Sequence, residues 1–181
     1  MTRVLSLIGY RGTGKSTVGM RLARRLNWGW IDADNELERR AGRSIKEIFA
    51  TDGEPYFRDL ERQVIADLIR RQNLVLSTGG GAILNADTRR DLRMAGPVIW
   101  LKASIQTIAS RILQDKSTAS RRPNLTARGG VTEIRDLLAI REPLYLEAAT
   151  ITVDTEGLRL GQVVTAILSQ LPADYAVETP P

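Results

Sequence analysis

An apolar run, Val4-Leu5-Ser6-Leu7-Ile8, leads straight into Gly9-Tyr10-Arg11-Gly12-Thr13-Gly14-Lys15-Ser16-Thr17, after which apolar residues recur at Val18, Leu22 and Leu26. A buried strand, a glycine-rich turn and an amphipathic helix in that order leave few architectures open, because the strand needs cover on both faces. The glycines let consecutive N–H groups converge at a helix N-terminus, the arrangement that cradles phosphate groups. Gly12, Thr13, Gly14, Lys15, Ser16 and Thr17 are therefore candidate nucleotide-binding residues. Lys15 brings a positive charge to the β- and γ-phosphates, and the Ser16 hydroxyl is an oxygen ligand for Mg²⁺.

Further short apolar segments follow at Trp28 to Ile31, Leu74 to Leu76, Val98 to Leu101 and Ile151 to Val153. Between them lie helical patterns, among them Leu60, Val64, Ile65, Leu68, Ile69 and Leu160, Val163, Val164, Ile167, Leu168, Leu171. The alternation predicts an α/β fold, a parallel sheet with helices on its faces. Ligands then collect along the carboxyl edge of the strands. No repeat or linker divides the 181 residues, and one domain over residues 1–171 is expected. Gln114 to Gly130 carries Lys116, Arg121, Arg122 and Arg128 among Ser, Thr and Gly, and is read as a mobile lid over phosphates. Residues 172–181 read as a flexible tail.

Composition narrows the chemistry. Without cysteine the chain has no disulfide, thiolate nucleophile or thiolate zinc site, and without histidine it lacks the commonest general base. Any base is then a carboxylate. The net charge of +5 is spread among interleaved acids, with no basic run carrying stacking aromatics, so a nucleic-acid partner is not expected and an anionic small substrate is. No apolar run approaches membrane-spanning length and no signal-peptide pattern opens the sequence, which reads as a cytoplasmic monomer with no membrane partner.

Ile31-Asp32-Ala33-Asp34 places two carboxylates where the second strand ends. A bend into a helix after Asp32 gives them separate tasks, Asp32 toward Mg²⁺ near Ser16, and Asp34 toward the hydroxyl of an acceptor and its proton. Either aspartate would also serve as a helix cap. Thr78-Gly79-Gly80-Gly81 follows the third strand, where glycines let a ligand approach the backbone closely. Arg58 and Glu61 lie one turn apart and form either a surface ion pair or a guanidinium held ready for a carboxylate. Arg141 is equally open on its own residues.

Taken together these motifs resemble the shikimate kinases over about Val4 to Leu171. The resemblance rests on Gly9 to Thr17, Asp32-Ala33-Asp34, Gly42-Arg43-Ser44-Ile45, Ile48-Phe49, Gly53-Glu54, Phe57-Arg58 with Glu61, Gly79-Gly80-Gly81, Arg122-Pro123 and Arg141 with Pro143-Leu144-Tyr145. It implies a nucleoside-monophosphate-kinase-like fold, three layers α/β/α around a five-stranded parallel sheet. It further implies transfer of the γ-phosphoryl of ATP, with Mg²⁺, to the 3-hydroxyl of shikimate in aromatic amino acid biosynthesis. By the same resemblance Lys15 contacts phosphate, Ser16 and Asp32 serve Mg²⁺, and Asp34 holds the acceptor hydroxyls. Arg58, Arg141 and the loop Gly79 to Gly81, Gly80 in particular, contact shikimate, the two arginines receiving its carboxylate, and Arg122 reaches the transferring phosphate.

Three departures from the family pattern stand out. The lid reads Arg122-Pro123-Asn124-Leu125 after a longer Ser117 to Arg121 stretch, which leaves Arg121 as a rival to Arg122. Arg111 and Lys116 compete for the adenine-stacking position. The turn Asp154 to Arg159 lacks the usual Arg and Pro at the base-binding edge. Two other readings of the chain remain: a kinase of the same fold acting on gluconate or a nucleoside monophosphate, and a nucleotide-gated regulatory protein without transfer activity.

Overall fold

The computed structural model describes residues 3–114 and 130–175. Five strands form one sheet: β1 (Val4–Ile8), β2 (Gly29–Asp32), β3 (Leu74–Ser77), β4 (Val98–Lys102) and β5 (Ile151–Asp154). Their order is β2-β3-β1-β4-β5, and every neighbouring pair is parallel. The five expected strands are all present, with no end shifted by more than one residue. Eight α-helices are described: α1 (Lys15–Leu26), α2 (Ala33–Ala41), α3 (Ile45–Thr51), α4 (Gly53–Leu68), α5 (Ala86–Ala95), α6 (Ile105–Gln114), α7 (Gly130–Ala148) and α8 (Leu160–Leu168).

The pleat divides the core in two. Val4 and Ile8 of β1 face a cluster built with Leu37 of α2, Ile48 of α3, Val64 and Ile65 of α4, Leu92 of α5 and Ile108 of α6. Leu5 and Leu7 face the opposite way, onto Val18, Leu22 and Leu26 of α1 and Val163, Val164 and Ile167 of α8. The helical periodicities seen in the sequence thus find their partners, although Leu160, at the start of α8, is 37% exposed. Burying strands on both faces is what a parallel sheet requires, and β1 is buried at all five positions.

Local chemistry sets the helix ends that matter for the site. Asp32 caps α2, its Oδ1 accepting from the N–H groups of Asp34 and Asn35 at 3.1 and 3.4 Å. Ser44 and Glu47 form a reciprocal capping box that starts α3. The expected body ended at residue 171, but Ala173–Tyr175 forms a 3₁₀ turn whose Tyr175 is buried 5.9 Å from the Trp28 ring. An aromatic side chain burying that much apolar surface holds this segment onto the body.

Register aligns the carboxyl ends of three strands. Ser77 of β3 stands opposite Leu7 of β1 on one side and Asp32 of β2 on the other. The loops that follow therefore emerge side by side at one edge of the sheet, where strand order reverses between β1 and β4.

Candidate active site

The loop between β1 and α1 wraps the first turn of the helix. Gly12 and Gly14 take φ of 80° and 92°, in the left-handed region that glycine alone enters freely. Lys15 is 8% exposed, and its ammonium donates to the carbonyls of Gly9 and Tyr10 at 2.8 and 2.9 Å. The charge is thus stored inside the loop whose N–H groups would meet phosphate. Ser77 Oγ donates to the Lys15 carbonyl and accepts from Trp30 Nε1, both at 3.1 Å, which fixes the start of α1 against β2 and β3. Arg111 of α6 donates to the Gly12 carbonyl at 3.4 Å and so borders the loop.

The chain does bend into a helix after Asp32, and the two carboxylates separate as a result. Asp32 Oδ2 accepts from Ser16 Oγ at 2.8 Å. Asp34, only 6% exposed, turns the other way: a Cβ built on Gly79 would lie 2.8 Å from its Oδ1 and 2.6 Å from Glu61 Oε1. A second glycine is constrained equally tightly, since a Cβ on Gly81 would lie 2.6 Å from the Arg58 guanidinium. The glycines of this loop make room for side chains of α2 and α4.

Beside the phosphate loop lies a cavity of about 480 Å³. Arg11, Asp34, Glu54, Arg58, Glu61 and Arg141 supply its charged lining, and Phe49, Phe57, Leu137 and Ile140 are among its apolar walls. Arg58 donates to Glu61 Oε2 at 2.7 Å and to Glu54 Oε1 at 2.9 and 3.1 Å. Of the two readings left open for Arg58 and Glu61, the surface pair fails, because the Glu61 side chain is 5% exposed and the pair faces the cavity. Burial pushes the Glu61 carboxyl above its ordinary pKa, with Arg58 and Arg141 opposing the shift. Arg141, 6% exposed, donates to the Gly80 carbonyl at 3.4 Å, and Tyr145 donates to the same oxygen at 2.6 Å.

Lys15, Ser16, Asp32, Asp34, Arg58, Gly79 to Gly81 and Arg141 therefore converge, although they come from five different segments. Arg122 lies outside the described residues, as do its rival Arg121 and the basic residues Lys116 and Arg128.

A protein-family model described as "Shikimate kinase" matches residues 11–172. The chain belongs to the shikimate kinase family. Among the shikimate kinases it resembles are those of Rhodopirellula baltica, 37% identical over 93% of this chain and 90% of the relative, and Pseudomonas savastanoi, 41% identical over 93% and 96%. A structure of shikimate kinase from Acinetobacter baumannii in complex with shikimate superimposes with a TM-score of 0.86 at 37% identity, covering 93% of this chain and 92% of that one. A gluconokinase from Sinorhizobium meliloti matches with a TM-score of 0.54 at 18% identity, which shows a shared fold alone. Members of the family are ATP-dependent phosphotransferases, so the regulatory alternative loses its ground.

Several contacts of the family site were not legible in the sequence. Arg11 pairs with Glu133, 2.8 Å away across the seam between the phosphate loop and α7. Tyr145 had entered only as part of a motif and proves to brace Gly80. The partnership of Glu54 with Arg58 follows the i,i+4 spacing and could have been read from it.

Proposed function

We propose that the cavity and the adjoining phosphate loop are the acceptor and donor halves of one site, in which this kinase moves the γ-phosphoryl of ATP to the 3-hydroxyl of shikimate. The observation that carries the reading is the placement of Asp34: it sits at the mouth of the phosphate loop in the same cavity as Arg58 and Arg141. An acceptor bearing a carboxylate at one end and hydroxyls at the other fits that order of charges.

Each residue then has a physical task. Lys15 exchanges two loop carbonyls for phosphate oxygens, so its charge is available where negative charge develops. Arg58 and Arg141 hold the acceptor carboxylate, with Glu54 and Glu61 fixing the Arg58 fork. Asp34 accepts a hydrogen bond from the acceptor hydroxyl and takes its proton as the O–P bond forms. Because the transition state is loose, alignment and charge neutralisation supply most of the acceleration. Arg122 is assigned to the transferring phosphate on the family motif alone.

Ser16 and Asp32 offer hard oxygen donors next to the phosphate loop, and that donor set suits Mg²⁺. Among the described residues no group of three acidic, His or Cys side chains converges on a metal position, so the remaining ligands would be phosphate oxygens and water. When bound, the ion would offset charge on the β- and γ-phosphates. We take a monomer as the working unit. No helix among the described residues is long and apolar enough to cross a membrane, and we place the reaction in the cytoplasm.

A coupled assay of ADP release with shikimate, gluconate and nucleoside monophosphates tests the reading. Stimulation by shikimate alone is expected, and silence with shikimate would overturn it. Asp34→Asn should bind ATP normally and turn over poorly; full activity would remove Asp34 from its role.

A further inference from the structure

The donor and acceptor loops lie side by side. A Cβ added at Gly80 would stand 3.4 Å from both the Arg11 nitrogen and the Gly9 carbonyl oxygen, so a side chain at residue 80 would fill the space between the two loops. Helix α7 braces both of them. Near its start Glu133, with no exposed surface, accepts a hydrogen bond from Arg11 Nη2 at 2.8 Å. About two turns later Arg141, and about one turn beyond it Tyr145, donate to the Gly80 carbonyl. The Arg11 side chain is 10% exposed, and its Nε is buried with no hydrogen-bond partner among the described residues.

A buried ion pair is a poor choice for stability alone, since desolvating two charges offsets their attraction and apolar residues of similar volume often serve as well. What such a pair does supply is register. Arg11 belongs to the phosphate loop and also lines the acceptor cavity, so it borders both halves of the proposed site.

We propose that Arg11 is a positioning residue for phosphoryl transfer, anchored by Glu133, which locks the phosphate loop and the Arg141–Tyr145 end of α7 in one register and so sets the gap between donor phosphate and acceptor hydroxyl. The proposal rests on the two-substrate reading above. It assigns no new ligand; it says which contact fixes the alignment that the loose transition state demands. Lysine at position 11 would keep the charge but lose the planar fork.

The test compares wild type with Arg11→Lys and with the double variant Arg11→Met/Glu133→Leu, which removes both charges of the pair together. The measurements are melting temperature and steady-state kinetics in both substrates. With melting temperatures near wild type, kcat should fall about tenfold or more in the double variant and by less in Arg11→Lys, while KM for ATP stays within about threefold. Wild-type kcat in the folded double variant would overturn the proposal. Should that variant fail to fold, Arg11→Lys decides: a lowered kcat at an unchanged melting temperature supports the positioning role, and wild-type kcat ends it. Wild-type enzyme that releases no ADP in response to shikimate would instead overturn the underlying functional reading, which separates the two failures.

Discussion

Ser16 Oγ donates to Asp32 Oδ2 at 2.8 Å, joining the first turn of α1 to the last residue of β2. The hydrogen bond holds two oxygen donors in place beside the phosphate loop. Asp32 is at the same time the cap of α2, so its two oxygens serve separate ends: Oδ1 the helix, Oδ2 the serine. Asparagine caps nearly as well as aspartate but is a much weaker ligand for a hard cation. Asp32→Asn is therefore expected to keep its melting temperature while the Mg²⁺ concentration for half-maximal rate rises about tenfold. Titrating Mg²⁺ in the ADP-release assay checks this, and an unchanged midpoint would take Asp32 out of the metal site.

Gly79 and Gly81 separate the two halves of the acceptor chemistry. A methyl group at residue 79 collides with Asp34 Oδ1 and Glu61 Oε1, both carried on packed helices, whereas one at residue 81 meets the end of the Arg58 side chain. Gly79→Ala should lower kcat about 100-fold by shifting the carboxylate that handles the hydroxyl. Gly81→Ala should chiefly raise KM for shikimate, because Arg58 can swing aside at the cost of its hold on a carboxylate. Measured kcat and KM for the two variants check the contrast; identical profiles would show that the loop acts as one unit.

Acid stability has a local source on α2. Glu36 binds Arg39 through both oxygens at 2.8 and 2.9 Å and Arg40 at 2.8 Å, and Arg40 reaches Asp67 on α4. The hydrogen bonds from Arg39 and then Arg40 bring the Glu36 carboxyl down to about 2. The folded state thus holds fewer protons at this site than the unfolded chain, so the pair stabilises fully above the ordinary carboxylate value near 4.5 and loses that stabilisation as pH falls toward 2. Arg39 is largely exposed, so solvent screening keeps the contribution small. Glu36→Gln should melt slightly below wild type at pH 7 and match it near pH 2. Melting curves across that range check the convergence; a gap that widens in acid would reverse the sign.

The parts of the fold and site that could be read from the sequence were those written locally. Strand β1 stands where its apolar run lies, because a strand buried on both faces reads as a near-continuous apolar run. The phosphate loop, the Asp32 bend and the Arg58–Glu61 pair are likewise encoded within a few residues of one another. What could not be read depends on separation. Arg11 and Glu133 lie 122 residues apart, and no spacing rule joins them until the sheet has brought α7 over the phosphate loop. Gly79 lines the cavity, and its lack of a Cβ also accommodates Asp34 and Glu61, side chains of α2 and α4 that no local pattern joins to it. The packing of Tyr175 onto Trp28 escaped for a similar reason, since one aromatic in a polar tail carries no periodic signal.

Phosphoryl transfer needs positive charge on both sides of the moving group, and we assign one side to Lys15. Its ammonium already lies inside the loop, donating to the Gly9 and Tyr10 carbonyls at 2.8 and 2.9 Å. Lys15→Ala is expected to lower kcat about 100-fold or more. The opposing charge is assigned by family motif to Arg122, with Arg121 next to it in sequence as the competitor. Because either arginine would act on charge that develops during transfer, its loss should reduce kcat about 100-fold and leave KM for shikimate nearly unchanged. Arg122→Ala is expected to show that pattern and Arg121→Ala to stay close to wild type, as judged by steady-state kinetics in both substrates. The reverse result would move the role to Arg121, and near-normal turnover in both variants would mean that the second positive charge comes from elsewhere in the chain.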